Sequence, residues 1–343
     1  MPAVLIAAPP LAILARGPGR LRGPRRSART YGRHVTELLT SLSLARVDVD
    51  RAAERRSDAA WFDAACTDAS TRVLVLHRGR ARVAGEAEPR LVLMPPEQAA
   101  YDGVRVLLAV DGGTAQLALL VDAAVEPWDA PDGARWEGLR EVGAALGDRD
   151  AGLLVMAVAL ANWHTTHPRC PRCGEPTVPS QAGWSRTCPA DATQHFPRSD
   201  PAVIVLVRDD EDRALLGRRA EWPDGFFSTL AGFVEAGESA EMTVLREMQE
   251  EAGVLVDRLD YLGSQPWPFP ASLMLGYHAR LAAGSPEARP DTTEITEVRW
   301  FTREEMRAGC ESGAVRIPPR VSIARRLVEH WYGAELPGSW SRP

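Results

Sequence analysis

Between Gly232 and Val254 the chain reads GFVEAGESAEMTVLREMQEEAGV, and no other segment restricts its fold so strongly. On a helix Glu247, Glu250 and Glu251 stand at i, i+3 and i+4, so their carboxylates share one face and crowd negative charge that is costly unless a cation neutralises it. Hard oxygen donors of this kind suit magnesium or manganese. Gly232 and Gly237 permit a tight backbone ahead of the helix, and Gly253 stands where a left-handed C-cap would end it. Arg246 can pair with Glu238 and hold loop against helix. Glutamates at helical spacing are commonly a solvated face, but the flanking glycines and Glu238 argue for a built site.

The segment fits the pattern GX5EX7REUXEEXGU, with U a bulky apolar residue, at every fixed position. Only Met248 departs in character, being larger and more flexible than the usual aliphatic. In this pattern the chain resembles the Nudix hydrolases. The resemblance implies hydrolysis of a nucleoside diphosphate linked to another moiety.

A length of 343 residues allows two or more domains with ample core. With 45% apolar and 25% charged residues, the composition is that of a soluble globular protein. A net charge of -6 argues against a dedicated nucleic-acid binder held by a basic surface. No lysine occurs, so every fixed cation is arginine, which points first to a GC-rich coding bias. Cys66, Cys170, Cys173, Cys188 and Cys310 are odd in number and irregularly spaced; this disfavours a disulfide scaffold and suits a reducing cytoplasm. The opening MPAVLIAAPPLAILARG is apolar but lacks a basic leader and is too short to span a bilayer, so no membrane partner is expected. Residues 1–35, arginine-rich after it, read as a disordered tail or an over-long start, with an organellar transit peptide as the competing reading.

Residues 36–150 form an expected β-rich, mostly antiparallel domain, with the runs RVLVLHRGRARV, RLVLMPP, VRVLLAVDGG and AQLALLVD separated by turns at Gly79, Gly85 and Asp111-Gly112-Gly113. WEGLREVGAAL and AGLLVMAVALANWHTTH have helical periodicity; the second, a connecting helix over 151–166, is apolar nearly all round and is expected to be buried between domains. Over 167–198 a zinc-ribbon-like segment offers Cys170 and Cys173 on one tight turn and Cys188 on another, with Asp191 where a fourth cysteine belongs. A structural zinc with Asp191 as fourth ligand is expected, His167 or His195 being the substitutes and a metal-free packed ribbon the alternative. Residues 199–335 then give AVIVLVRDDEDRALLGRRA, LGYHARL and EITEVRWF as strands and VSIARRLVEHWYG as a closing helix. The fold class is therefore α+β: a Nudix α/β/α sandwich preceded by the ribbon and the β-rich domain. That first domain can be read as a degenerate cousin of the second, although no internal repeat is evident.

Downstream of the box comes SQPWPFPASLMLGY, in which three prolines stiffen a segment carrying Trp267 and Phe269, a surface suited to stacking on a planar base. A structural proline-rich core loop is the competing reading. SQPWPFPxS behind a zinc ribbon, together with IPPRVSIARRLVEHW, is similar to the NADH pyrophosphatase family, also described as NAD-capped RNA hydrolases. The likeness covers roughly Leu160 to Trp331. It implies cleavage of NADH or NAD to nicotinamide mononucleotide and AMP by a homodimer needing magnesium or manganese. It also implies metal ligands at the Ala231 carbonyl, Glu247, Glu251 and Glu294, with Glu250 beside them. Glu250 or Glu251 is implied as the residue that deprotonates or orients the attacking water. Substrate contacts fall on Gln265, Pro266, Trp267, Pro268, Phe269, Pro270, Ala271, Ser272 and Ala324. Phe233 and Phe196 are implied as stacking partners, Phe196 standing in place of a tyrosine. Two alternatives stand beside hydrolysis of the free dinucleotide: an enzyme acting mainly on NAD-capped RNA, and a non-catalytic Nudix regulator. The intact box weighs against the last.

Overall fold

A computed structural model describes residue 39 and residues 42–125 and 133–338. The chain divides into two units, Met1–Val35 and Thr36–Pro343. The first unit, and with it the expected tail, lies outside the described residues. Among the described residues, no helix is long and apolar enough to cross a membrane.

The second unit begins with α1 (Ala59–Ala65) and a sheet of β1 (Arg72–His77), β2 (Arg80–Ala84), β3 (Arg90–Leu91), β4 (Leu93–Met94), β5 (Gly103–Asp111), β6 (Thr114–Val121) and β7 (Ala134–Gly138). Then come α2 (Leu139–Val142), α3 (Asp148–Thr166) and a small ribbon of β8 (Val178–Ser180), β9 (Ser185–Thr187) and β10 (Gln194–His195). The C-terminal part comprises β11 (Asp200–Arg208), β12 (Ala214–Arg218), β13 (Leu230–Phe233), α4 (Ala240–Ala252), β14 (Val256–Trp267), β15 (Ser272–Leu281), β16 (Glu297–Phe301), α5 (Arg303–Ser312) and α6 (Ile323–Tyr332).

Two departures from the sequence reading concern the connector. WEGLREVGAAL is not one helix: Ala134–Gly138 runs as a strand against β2, because pairing with that strand overrides the helical period, and α2 is only four residues long. The long helix starts three residues before 151, at Asp148.

Both large sheets follow one plan. β1 is antiparallel to β2 and β4 along one edge and parallel to β6 on the other, and β6 pairs antiparallel with β5. β11 is antiparallel to β12 and β13 and parallel to β15, and β15 pairs antiparallel with β14. β7 extends β2 as β16 extends β12. α3 packs on β1, β5 and β6 as α6 packs on β11, β14 and β15. What the first half lacks is a counterpart of α4: between β4 and β5 there is only a 3-10 turn at Pro96–Gln98. The face left open is covered by Trp61, Phe62 and Ala65 of α1.

Each central strand is buried on both faces, which explains why β1 and β11 read as continuous apolar runs rather than alternating ones. Val73 and Val75 face the α1 side while Leu74 and Leu76 face α3. In the same way Val203, Val205 and Val207 face α4, and Ile204 and Leu206 face α6.

Candidate active site

Helix α4 starts at Ser239, whose hydroxyl accepts from the Met242 N–H at 3.2 Å, and stops at Gly253 with φ 68°, a left-handed C-cap that glycine adopts without strain. Val244, Met248 and Ala252 form its buried stripe. That stripe fixes the rotation of the helix and turns Glu247 and Glu251 toward β13. Gly232 is required at that contact: a Cβ on it would lie 1.8 Å from the Glu247 carboxyl group. Its role is thus close approach of a carboxylate rather than the tight turn expected from sequence. Gly237, with φ 95°, does supply the turn.

Arg246 holds the loop to the helix. Its Nε and one terminal nitrogen donate to the two Glu238 oxygens, both at 2.8 Å, and it also reaches Glu247 at 2.7 Å, Glu250 at 3.1 Å and the Phe233 carbonyl at 2.9 Å. This bidentate pair draws the Glu238 carboxyl down to about 2, with the Glu235 N–H assisting.

Glu251 is buried, and its Oε2 accepts from the Ala231 N–H at 3.1 Å. Burial, and then the neighbouring Glu247 carboxylate, push it up to about 8. Glu247 is raised as well, chiefly by burial. A buried and a half-buried acid that each resist ionisation beside a backbone strand are a donor set suited to a hard divalent cation, which would reverse both effects. Arg219, which the sequence reading did not single out, reaches Glu294 at 3.2 Å and Glu251 at 3.8 Å and so ties the distant Glu294 to this cluster. No motif surrounds Arg219; only the β12–β16 pairing brings it there.

Ala231, Glu251 and Arg219 line a cavity of about 290 Å³ together with Trp267 and Ala324. The other loop residues are placed differently. Gln265 is fully buried, its Oε1 accepting from the Leu44 N–H at 3.2 Å and its Nε2 donating to the Val321 carbonyl at 3.1 Å, so its side chain serves as an internal tie. Pro266 ends its pairing with Leu273, and Trp267 with Ser272, at the tip of β14 and β15. Phe269 packs edge-on against Trp267, with ring centroids 4.9 Å apart, and both lie under the Arg140 guanidinium. The Asn162 amide donates to the Pro268 carbonyl at 2.8 Å and to the Pro270 carbonyl at 3.2 Å, gripping the backbone on either side of Phe269. The Ala271 carbonyl accepts from the Asp200 N–H. Asn162 and Arg140 come from the first sheet's helices and carry no local signal in the sequence. Phe233 and Phe196 are both exposed and do not line the cavity.

In the ribbon, one ligand atom from each of Cys170, Cys173, Cys188 and Asp191 falls within 4.8 Å of all the others. Ligands on a tetrahedral zinc sit about 3.8 Å apart, so the set fits that ion. Asp191 is held for the task by the Thr193 N–H on Oδ1 at 2.9 Å, while Oδ2 lies 3.8 Å from the Cys170 sulfur. His167 is not in the cluster; its ring stacks on Trp163 and its Nδ1 meets the Thr166 hydroxyl. His195 also stands outside it.

Comparison with known proteins matches residues 70–163 to an NADH pyrophosphatase-like rudimentary NUDIX domain, residues 165–196 to an NADH pyrophosphatase zinc ribbon domain and residues 198–321 to a NUDIX domain. The kinship of the two halves, which the sequence left open, is thus supported by both topology and family. An NAD-capped RNA hydrolase NudC of Mycobacterium bovis is 43% identical over 308 residues, covering 85% of this chain and 95% of that protein. The NudC of Stutzerimonas stutzeri is 42% identical over 211 residues, 61% of this chain and 72% of its own length. NUDT12 of Macaca fascicularis, also an NAD-capped RNA hydrolase, is 40% identical over 198 residues, 54% of this chain and 42% of its own. With these three consecutive matches and the geometry around α4, the chain is a Nudix hydrolase and belongs to the NADH pyrophosphatase and NAD-capped RNA hydrolase family.

Proposed function

We propose that the chain hydrolyses the diphosphate of NADH or NAD to nicotinamide mononucleotide and AMP, and acts on the same linkage at the 5′ end of NAD-capped RNA. The observation that carries this reading is half-buried Glu247 beside Ala231 and buried Glu251, with Glu251 lining a cavity walled by Trp267. Magnesium or manganese held by Glu247, Glu251, Glu294 and the Ala231 carbonyl would polarise the diphosphate and acidify a bound water. Arg246 keeps Glu247 and Glu250 oriented, and Arg219 keeps Glu294 near Glu251. Glu250, exposed at the end of this row, or Glu251 would take the proton of the attacking water. Trp267 would supply a ring to one base, and Ala324 a backbone edge on the same cavity.

Assembly as a homodimer, which the resemblance implies, would give the exposed rings of Phe196 and Phe233 a partner surface or a base to stack on. Five free thiols suit a cytoplasmic enzyme with a structural zinc at Cys170, Cys173, Cys188 and Asp191. Turnover of NADH and of an NAD-capped oligonucleotide, read as release of nicotinamide mononucleotide with and without magnesium, tests the reading. Intact substrates in both assays would exclude it.

A further inference from the structure

Two arginines reach the carboxylates around α4, and they are held in different ways. Arg246 is locked: besides Glu247 and Glu250 it donates twice to Glu238 and once to the Phe233 carbonyl. Arg219 stands just past the end of β12, lines the catalytic cavity and has a side chain that is 33% exposed. Its guanidinium donates to Glu294 at 3.2 Å and lies 3.8 Å from Glu251. The Glu251 oxygen that it approaches is Oε1, whereas Oε2 accepts from the Ala231 N–H. Arg219 therefore sits on two carboxylates that the proposed function gives to a divalent cation. At such range a guanidinium and a divalent cation repel each other, so the two compete for the same oxygens.

Neither carboxylate relies on Arg219 for its place in the fold. Glu251 is anchored by the Ala231 N–H. The backbone around Glu294 is tied by the Asp291 carboxylate, which accepts from the Glu294 N–H at 3.2 Å and the Ile295 N–H at 2.8 Å. Next along, the Thr296 N–H donates to the Arg218 carbonyl at 2.9 Å. Arg219 turns the Glu294 side chain toward Glu251, and a cation seated on Glu251 would draw it the same way. Released from the carboxylates, the guanidinium has the cavity before it, with Ala231 and Trp267 on the same lining. A guanidinium is planar, permanently charged and able to fork onto two phosphate oxygens. A diphosphate held in that cavity presents such oxygens.

We propose that Arg219 changes partner during turnover: it offsets the charge of Glu251 and Glu294, yields them to the divalent cation, and then binds the diphosphate of the substrate. The inference rests on the reading that these two carboxylates hold the cation, and adds the side chain that meets the diphosphate.

Manganese binding without substrate, followed by the electron paramagnetic resonance signal of the free ion, separates this role from a structural one. At the tightest manganese site Arg219→Gln should bind about tenfold more tightly than wild type, since a competing charge is gone. Arg219→Lys keeps that charge and should stay close to wild type. At saturating manganese the effect turns round: affinity for inorganic pyrophosphate and kcat/KM for NADH should each fall about tenfold in Arg219→Gln, with Arg219→Lys between the two. Weaker manganese binding by Arg219→Gln would make Arg219 a brace for its carboxylates and overturn the proposal. Unchanged manganese affinity would overturn it too, as would pyrophosphate binding and NADH cleavage that stay undiminished in Arg219→Gln. Manganese binding by Glu251→Gln equal to that of wild type would overturn both the proposal and the metal assignment beneath it. Wild type that meets the manganese and pyrophosphate expectations but leaves NADH intact would overturn the reading of the substrate and leave the role of Arg219 standing.

Discussion

At the residue scale, chemistry and stability separate cleanly around Glu251. Replacing it by Gln keeps an acceptor for the Ala231 N–H and removes the repulsion from Glu247, so metal-free stability should not fall, whereas kcat should drop on the order of 100-fold or more, about 3 kcal/mol. Thermal melting without metal, paired with kcat at saturating magnesium, separates the two. Near wild-type turnover would remove Glu251 from the metal site. Gly232→Ala should be as damaging to activity, because its Cβ would displace the Glu247 carboxyl group. A different residue makes stability sensitive to acid. His278 is buried, with Nε2 against the Leu327 carbonyl at 3.0 Å, and burial holds it down to about 3, against 6.5 when unfolded. Below pH 6.5 the unfolded chain takes up a proton that the native state refuses, so stability is complete above 6.5 and declines as pH falls toward 3. Between about pH 6.5 and 4.5 the loss should be about 2 to 3 kcal/mol, and His278→Gln, which cannot titrate, should flatten that stretch of a denaturation-versus-pH curve. An unchanged slope would assign the acid sensitivity to other groups.

At the element scale, the box was legible because its chemistry is local: Ser239, Gly253 and the buried stripe of α4 all lie within one short segment, and period and caps fix the helix without outside help. The clamp on the aromatic loop was not legible, since Asn162 meets Pro268 and Pro270 from a helix more than a hundred positions away in the chain. Gln265, a substrate contact by resemblance, has side-chain partners likewise distant in the chain, the backbones of Leu44 and Val321. Asn162→Asp keeps the size, loses both donors and sets a carboxylate against two carbonyl oxygens. We expect KM for NADH to rise roughly tenfold, with kcat changed much less, as fits about 1 to 2 kcal/mol of lost hydrogen bonding in the loop proposed to bind the base. A matching fall in kcat with KM unmoved would show that the clamp serves the reacting centre instead.

At the scale of the whole molecule, the first sheet repeats the strand plan of the second and lacks only the helix that carries the carboxylates. Sequence could not show this, because two sheets buried on both faces share a plan through pairing order while their side chains diverge freely. The first half thus acts as a frame: α3 covers its own sheet, grips the loop through Asn162 and reaches the ribbon through His164, whose Nδ1 accepts from Arg186 at 2.9 Å. The ribbon in turn offers four donors to an ion. About one zinc per chain should be found by elemental analysis, and Asp191→Ala should lower both zinc content and Tm without adding a second slope to the magnesium dependence of kcat. An ordered, active protein free of zinc would show that packing alone holds the ribbon. The most direct measurement is product analysis of NADH after incubation with wild type and Glu251→Gln at saturating magnesium. Equal amounts of nicotinamide mononucleotide and AMP from wild type, falling by two orders of magnitude in the variant and to nothing on chelation, are the predicted result. Undiminished cleavage by the variant, or cleavage at any bond other than the diphosphate, would contradict it.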